Sequence, residues 1–300
     1  MKKNFTARTD FASERITNKI KQDSFELETK DYNGVETQMI RVLKDKNPLS
    51  SKKGTYISLS FEHLNDSEIR DHVTEVMVEK LHFMIGQQTK SFDRVLVVGL
   101  GNSMVVADAL GPKVCEKVMV TSHLFEQENV QMEEGIRSVS CITPGVMGQT
   151  GIESSDIIFG VCEMIQPSLL IVVDALATKS MARINKMIQL SDTGIEPGSG
   201  VGNIRKAIDY ETLKIPVIVI GVATVVDVIS IARAAIEISM EQESKKIDEQ
   251  HIEQVMEELL QEETMQLIVT PKQMDEDLVH LSEVIATAVN TAMHKQFDKM

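Results

Sequence analysis

The chain has 300 residues, of which 42% are apolar and 25% charged, as is typical of a globular protein with a sizeable core. Its net charge of −14, from 45 acidic and 31 basic residues, argues against direct binding to nucleic acid or to an anionic membrane. Three widely spaced cysteines, no bilayer-length apolar run and no visible secretory signal predict a cytoplasmic protein without disulfides.

The N-terminal part of the chain predicts a small antiparallel β layer within residues 11–62. Strand-like stretches between residues 25 and 43 flank Asn33-Gly34, a dipeptide that is typical of a hairpin turn. A third alternating stretch covers residues 55–61. The apolar face of residues 66–87 then predicts a helix that leads into the rest of the fold.

Three later runs, 94–101, 169–176 and 216–222, are mostly apolar and predict strands that are buried on both faces. Strands that alternate with helices predict a three-layer α/β fold around a mostly parallel central sheet. We expect a charged helical insertion at 241–263. Further helices are predicted from Asp108 onward and at 155–165, 225–243 and 277–297. Short strands are predicted at 139–142 and 267–271, and 182–190 suits either state.

Two aspartates follow two of these buried runs. Asp174 comes directly after residues 169–173, and Asp108 lies shortly after residues 94–101. Because ligands and chemistry collect at the carboxyl ends of parallel strands, we expect the two carboxyl groups to face each other. One of such a pair retains a proton, so that the pair can deprotonate a water and protonate a leaving group. The alternative is that Asp174 caps the next helix and that Asp108 is solvated.

Two glycine-rich segments, 144–151 and 191–203, offer backbone N–H groups that can bind an oxyanion or a phosphate. The second lacks the Gly-Lys-Ser/Thr ending of a P-loop. Within it, Asp192 begins an Asp-Thr-Gly triplet. We expect Asp192 to be a turn residue rather than a catalytic aspartate. The candidate residues for substrate or oxyanion binding in these segments are Gly148, Gly151, Asp192, Gly198, Gly200 and Gly202.

A second function remains open at this point. Gly99 and Gly101 supply two of the three glycines of a dinucleotide-binding fingerprint, and together with the 191–203 loop they suit a non-catalytic nucleotide- or phosphate-binding regulator. The seven histidines are scattered, so the sequence predicts no metal site, and we expect no cofactor.

Eight blocks make the sequence similar to the germination proteases of endospore-forming bacteria over most of its length. They are Arg8–Glu14, Val97–Asn102, Asp108–Pro112, Pro144–Gly151, Val173–Ala177, Ser191–Asn203, Pro216–Asp227 and Val269–Lys272. The resemblance implies an endopeptidase that initiates the degradation of small acid-soluble spore proteins in the spore core during germination. It also implies a self-cleaving zymogen, a homo-oligomer of four copies and a fold similar to that of hydrogenase maturation proteases.

The resemblance places the family's two essential aspartates on Asp108 and Asp174. The equivalent acids of hydrogenase maturation proteases bind nickel, so a metal held by these two residues is a further possibility, although no third ligand is apparent. We rank it below a metal-free pair.

The resemblance also implies a cleavage site near the N-terminus. Residues 9–14, Thr-Asp-Phe-Ala-Ser-Glu, are similar to the family's substrate sequence, in which an acid precedes Phe or Ile and then Ala-Ser-Glu. Self-cleavage is therefore expected between Asp10 and Phe11. This divides the chain into a propeptide, 1–10, and a single peptidase domain, 11–300.

Overall fold

The computed structural model describes residues 9–16, 24–89, 92–125, 135–197, 206–242 and 267–294, together with residues 252, 255 and 258. Its strands are β1 (Phe25–Tyr32), β2 (Val35–Val42), β3 (Gly54–Ser60), β4 (Arg94–Gly99), β5 (Ser138–Ile142), β6 (Leu169–Thr178), β7 (Met187–Ser191), β8 (Val217–Asp227) and β9 (Ile268–Val269). Its helices are α1 (Ser67–Gln88), α2 (Leu110–Cys115), α3 (Met147–Thr150), α4 (Ser154–Ile165), α5 (Tyr210–Leu213), α6 (Val228–Gln242) and α7 (Met274–Met293).

The nine strands form one sheet in the order β1-β2-β3-β7-β8-β6-β4-β5, and β9 pairs with β8. Its centre, β8-β6-β4-β5, is parallel. The N-terminal strands β1 to β3 are antiparallel and join this centre through β7. The predicted α/β fold with a sheet that is parallel in its core is therefore confirmed, and the N-terminal β layer extends that same sheet.

Helices cover both faces of the sheet. On one face, α1, α2 and α7 pack against side chains of the central strands in the larger of the hydrophobic clusters. On the other face, Ile158 and Cys162 of α4 pack against residues of β4, β6 and β8. Because both faces are covered, residues 169–173 of β6 are fully buried, which is why that stretch is apolar throughout.

The structure corrects several predicted boundaries. β8 continues to Asp227, so α6 begins at Val228 rather than at residue 225; Val225 and Val226 pair with the end of β6, which suits their β-branched side chains. The ambiguous stretch 182–190 contains the strand β7, since it fills the place between β3 and β8. The glycine-rich loop 144–151 contains the helical turn α3.

The segment that follows β4 also differs from the prediction. Asp108 ends a 3-10 turn, Val106–Asp108, and the helix α2 begins only at Leu110. Three predicted features cannot be compared, because residues 198–203, most of the charged stretch 241–263 and residues 295–297 lie outside the described ranges.

Two glycines allow α2 to pack directly on the end of β4. A Cβ atom at Gly99 would overlap the carbonyl oxygen of Gly111, and one at Gly111 would overlap the backbone of Leu100. Helix and strand therefore touch backbone to backbone at this point. This close approach fixes the distance between the end of β4 and Asp108, two residues before α2.

We expect Gly99→Ala to lower the free energy of unfolding by about 1–3 kcal/mol, because the new methyl group must push α2 away from β4. Gly86→Ala on α1 is the matched control: a Cβ there meets no atom within 4 Å, and alanine favours a helix by up to about 1 kcal/mol. Urea unfolding of the three proteins gives both values. Equal stability of the Gly99 variant and the wild type would contradict the backbone contact.

Candidate active site

Asp174 is the first residue of β6 beyond its pairing with β4. The pairing ends at Val173, which lies opposite Gly99 and whose carbonyl oxygen accepts a hydrogen bond from the N–H of Leu100 at 2.8 Å. The carboxyl group of Asp174 accepts the N–H of Ala175 at 2.9 Å. Because β6 continues to Thr178, Asp174 does not cap a helix, and that alternative is wrong.

Asp108 closes the turn that follows β4. Its Oδ2 atom accepts a hydrogen bond from the N–H of Asn102 at 2.8 Å. Its backbone carbonyl oxygen occupies the space that a Cβ atom would need at position 101, where the chain has glycine. Gly101 has φ +114°, a conformation that favours glycine. The turn from Gly101 to Asp108 thus returns the carboxyl group of Asp108 to the end of β4, and the alternative in which Asp108 is solvated is wrong because this group is partly buried and bonded.

The two aspartates line one cavity of about 720 Å³. Burial raises the pKa of Asp108. The hydrogen bond from the N–H of Asn102 stabilises the ionised carboxylate and lowers the pKa, but the effect of burial is larger. Burial also raises the pKa of Asp174 well above its ordinary value, and the negative charges of Asp108 and Asp10 raise it further. The cavity therefore favours a pair that carries a proton, with Asp174 as its preferred site.

The residues Asp10–Arg15, which we call the N-terminal segment, enter the same cavity. The N–H of Asp10 donates to the carbonyl oxygen of Ala177 at 3.1 Å, and the N–H of Ala177 donates to Oδ2 of Asp10 at 2.9 Å. Asp10 thus binds the part of β6 that extends beyond β4. The next residue, Phe11, is fully buried in a hydrophobic cluster with Leu176, Met187 and Ala223.

A buried carboxylate anchors the far end of the N-terminal segment. The side chain of Glu14 accepts hydrogen bonds from the hydroxyl of Thr178 and, at 3.0 Å, from the N–H of Lys179. Arg183 lies 3.5 Å from the same carboxylate. Acidic side chains at positions 10 and 14 therefore satisfy backbone N–H groups at the end of β6, with Phe11 buried between them.

The other predicted site residues divide into three groups. Gly148 lines the cavity. Gly151 and Asp192 are not among the residues that line the cavity. Gly151 follows α3 with φ +73°. The carboxylate of Asp192 accepts hydrogen bonds from the N–H of Thr55 at 2.7 Å and from the side-chain amide of Gln88 at 2.9 Å. Asp192 thus ties β3 to the end of α1. Gly198, Gly200 and Gly202 lie outside the described residues.

Two residues at the site were not singled out from the sequence. Asn102 supplies the N–H that bonds Asp108, and Gln189 on β7 bonds the backbone on both sides of Phe11. The signal for Gln189 was a polar residue flanked by Ile188 and Leu190 in a strand-like stretch, and such a residue usually needs a hydrogen-bond partner when buried.

Within the described ranges, no group of three or more His, Cys, Asp or Glu residues is arranged to hold a metal ion. The same part of the chain contains no helix that is long and apolar enough to span a membrane.

Comparison with known proteins identifies the class. A model of a peptidase family matches residues 4–253, so the chain is a peptidase. The model is described as germination protease, and the chain belongs to this family. Membership in this family favours the peptidase over the nucleotide-binding regulator. The need for glycine at positions 99 and 101 is explained by close backbone contacts, of Gly99 with Gly111 and of Gly101 with Asp108.

Individual relatives agree with the family model. The chain is 37% identical to the germination protease of Priestia megaterium, with 90% of this chain and 86% of the relative covered, and 39% identical to that of Clostridium acetobutylicum, with 89% and 87% covered. Among solved structures, the [NiFe] hydrogenase maturation protease HycI from Thermococcus kodakarensis matches 70% of this chain and 98% of its own, with a TM-score of 0.37 and 16% identity.

The raised pKa of Asp174 predicts that stability depends on pH. A carboxyl group whose pKa is higher in the folded than in the unfolded chain makes folding less favourable as the pH rises from about 4 through the folded-state value. Asparagine cannot ionise. We therefore expect Asp174→Asn to raise the free energy of unfolding relative to the wild type at pH 7, and the gain to shrink toward pH 4.

Urea unfolding at pH 4, 5, 6 and 7 measures this difference. Asp71→Asn, on the exposed side of α1, is the control and should change stability by at most about 0.5 kcal/mol. A difference between Asp174→Asn and the wild type that is the same at every pH would contradict the raised pKa.

Proposed function

We propose that the protein is a self-processing endopeptidase that uses Asp108 and Asp174 to activate water. It is made with a propeptide, residues 1–10, that it removes by cutting the bond between Asp10 and Phe11. The peptidase domain, 11–300, then initiates the degradation of small acid-soluble spore proteins during germination.

The observation that carries this proposal is the position of the N-terminal segment. Asp10 lines the same cavity as Asp108 and Asp174, and its charge contributes to the raised pKa of Asp174. Its backbone is bonded to Ala177, three residues beyond Asp174 on the same strand. A bond next to Asp10 is therefore held beside the two carboxyl groups that are proposed to hydrolyse it.

The environments of the two carboxyl groups suggest different roles. Asp108 accepts the N–H of Asn102, which stabilises its ionised form, and so suits a general base. Asp174 retains a proton because burial and the charge of Asp108 oppose its ionisation, and so suits a general acid. The apparent pKa values measured for such a pair belong to both groups together.

Hydrolysis then follows in two steps. A water attacks the carbonyl carbon of Asp10 and gives a proton to the carboxylate of Asp108, while the electrons of the carbonyl double bond move to its oxygen. The double bond re-forms as the bond to the nitrogen of Phe11 breaks, and that nitrogen takes the proton of Asp174. The products are a carboxyl group on Asp10 and a free amine on Phe11, and the pair ends with one proton, as it began.

The substrate class follows from the same cavity. Once residues 1–10 have been removed and Phe11–Arg15 have undocked, another peptide with an acid, a large apolar residue and a second acid at the same spacing can make the same contacts by forming the 3-10 turn that Ala12–Arg15 form here. This is the pattern that the family resemblance implies for small acid-soluble spore proteins. We accordingly place the enzyme in the cytoplasm of the spore core, acting on protein substrates without a cofactor and without direct contact with nucleic acid or membrane.

We expect the matured wild-type protein to begin at Phe11, and Asp108→Asn and Asp174→Asn to retain residues 1–10. Each substitution removes one partner of the proton transfer, which costs about 100- to 10,000-fold in rate. N-terminal sequencing and a peptidase assay on the peptide Thr-Asp-Phe-Ala-Ser-Glu measure both effects. Asp10→Ala should slow maturation because it removes the bond to the N–H of Ala177.

Asp192→Asn is the matched control, since this carboxyl group is also partly buried and hydrogen-bonded but lies away from the cavity lining. Activity that survives either Asp108→Asn or Asp174→Asn would remove the mechanism. Loss of activity in a chelator, with rescue by one added metal ion, would replace it with a mechanism in which the two aspartates hold that metal.

We further propose a homotetramer. Several large apolar side chains are exposed in α3 and in the loops near the cavity, among them Met104, Val105, Met147 and Ile152. Such side chains favour association between copies. Light scattering at micromolar concentration should give four times the chain mass of 33.4 kDa, and a single species of one chain mass would contradict the proposal.

A further inference from the structure

Gln189 lies on the same side of the sheet as Asp174. Gln189 of β7 is directly opposite Gly221 of β8, and Gly221 is directly opposite Asp174 of β6. Residues that are opposite one another in a sheet point to the same face, so the side chains of Gln189 and Asp174 rise on either side of Gly221, with their backbones about 10 Å apart. Gly221 places no side chain between them.

The amide of Gln189 holds the backbone on both sides of Phe11. Its Oε1 atom accepts the N–H of Ala12 at 3.0 Å, and its Nε2 atom donates to the carbonyl oxygen of Asp10 at 3.3 Å. This carbonyl belongs to the bond that the proposed function assigns as the cleavage site. The side chain is buried, so water does not compete for these two bonds.

Leu176 connects Gly221 to Phe11. A Cβ atom at position 221 would overlap the side chain of Leu176, which packs against Phe11. The glycine therefore leaves room for the side chain of Leu176, which supports Phe11 beside Gln189. Among the described residues, the side chain of Gln189 bonds main-chain atoms, so these two hydrogen bonds do not depend on which side chains the peptide carries.

We propose that Gln189 is the group that binds the carbonyl of the bond being cut and stabilises the negative charge that develops on its oxygen. This inference rests on the proposed cleavage between Asp10 and Phe11. When water adds to the carbonyl carbon, the charge moves onto the oxygen that faces Nε2, and a hydrogen bond that is long in the bound state shortens. A neutral amide suits this role because it stabilises the oxyanion without adding a charge beside Asp174.

Two substitutions test this role. Gln189→Glu keeps an acceptor for the N–H of Ala12 but loses the donor, and Gln189→Met keeps the length of the side chain but makes neither bond. In both we expect self-processing to slow by about 100-fold or more, since that is the typical cost of losing one oxyanion donor. On the peptide Thr-Asp-Phe-Ala-Ser-Glu, kcat should fall by the same factor, with KM changed by less than about threefold.

Gln38→Met is the control, since Gln38 lies on β2 of the same sheet, away from the cavity, and should leave both rates unchanged. Thermal unfolding shows whether each variant is folded; if Gln189→Met is not, Gln189→Glu carries the test, because it keeps the contact with Ala12.

Wild-type rates in the folded Gln189 variants would overturn the assignment. So would a raised KM at unchanged kcat, because Gln189 would then only anchor the peptide. The N-terminus of the matured wild type is determined first. A start other than Phe11 removes the proposed cleavage site and this assignment with it, whereas a start at Phe11 with fully active Gln189 variants removes this assignment alone.

Discussion

The site depends on the unequal lengths of two paired parallel strands. β4 ends at Gly99, whereas its neighbour β6 continues for five residues beyond the last pair, from Asp174 to Thr178. This extension carries one of the two aspartates and offers backbone N–H and C=O groups that β4 does not use. The N-terminal segment takes the groups of Ala177, as an added strand takes the edge of a sheet. Had β4 been longer, neither the cavity nor the docking position would exist.

Close backbone packing brings the second aspartate to this place. The contact between Gly99 and Gly111 seats α2 on the end of β4, and the left-handed conformation of Gly101 turns the chain so that Asp108 returns to the strand end. Two carboxyl groups are thereby held in a partly buried cavity, where their ionisation is unfavourable. The glycines thus position two carboxyl groups whose ionisation burial opposes.

The N-terminal segment carries further negative charge into an already acidic cavity. Two of its carboxylates are satisfied by the backbone N–H groups of Ala177 and Lys179, and Glu14 also has Arg183 nearby. Asp10 adds to the charges that oppose ionisation of Asp174. In the proposed function, departure of residues 1–10 removes this charge and frees the N–H of Ala177, and undocking of Phe11–Arg15 then frees the N–H of Lys179, so that both become available to an acidic peptide. Docking of the segment and recognition of a substrate would then rest on the same set of contacts.

The sequence by itself determined the buried strands, the α/β class and the two aspartates that follow β4 and β6, because apolar runs and the acids behind them are local patterns that packing preserves. It also determined the family, through motifs spread over most of the chain. Only the tertiary structure decided that 182–190 contains a strand, that Asp192 joins β3 to α1, and that Gln189 lies opposite Asp174 across Gly221. These facts depend on which strands become neighbours and in which register they pair, and that choice is made by contacts between residues far apart in the chain.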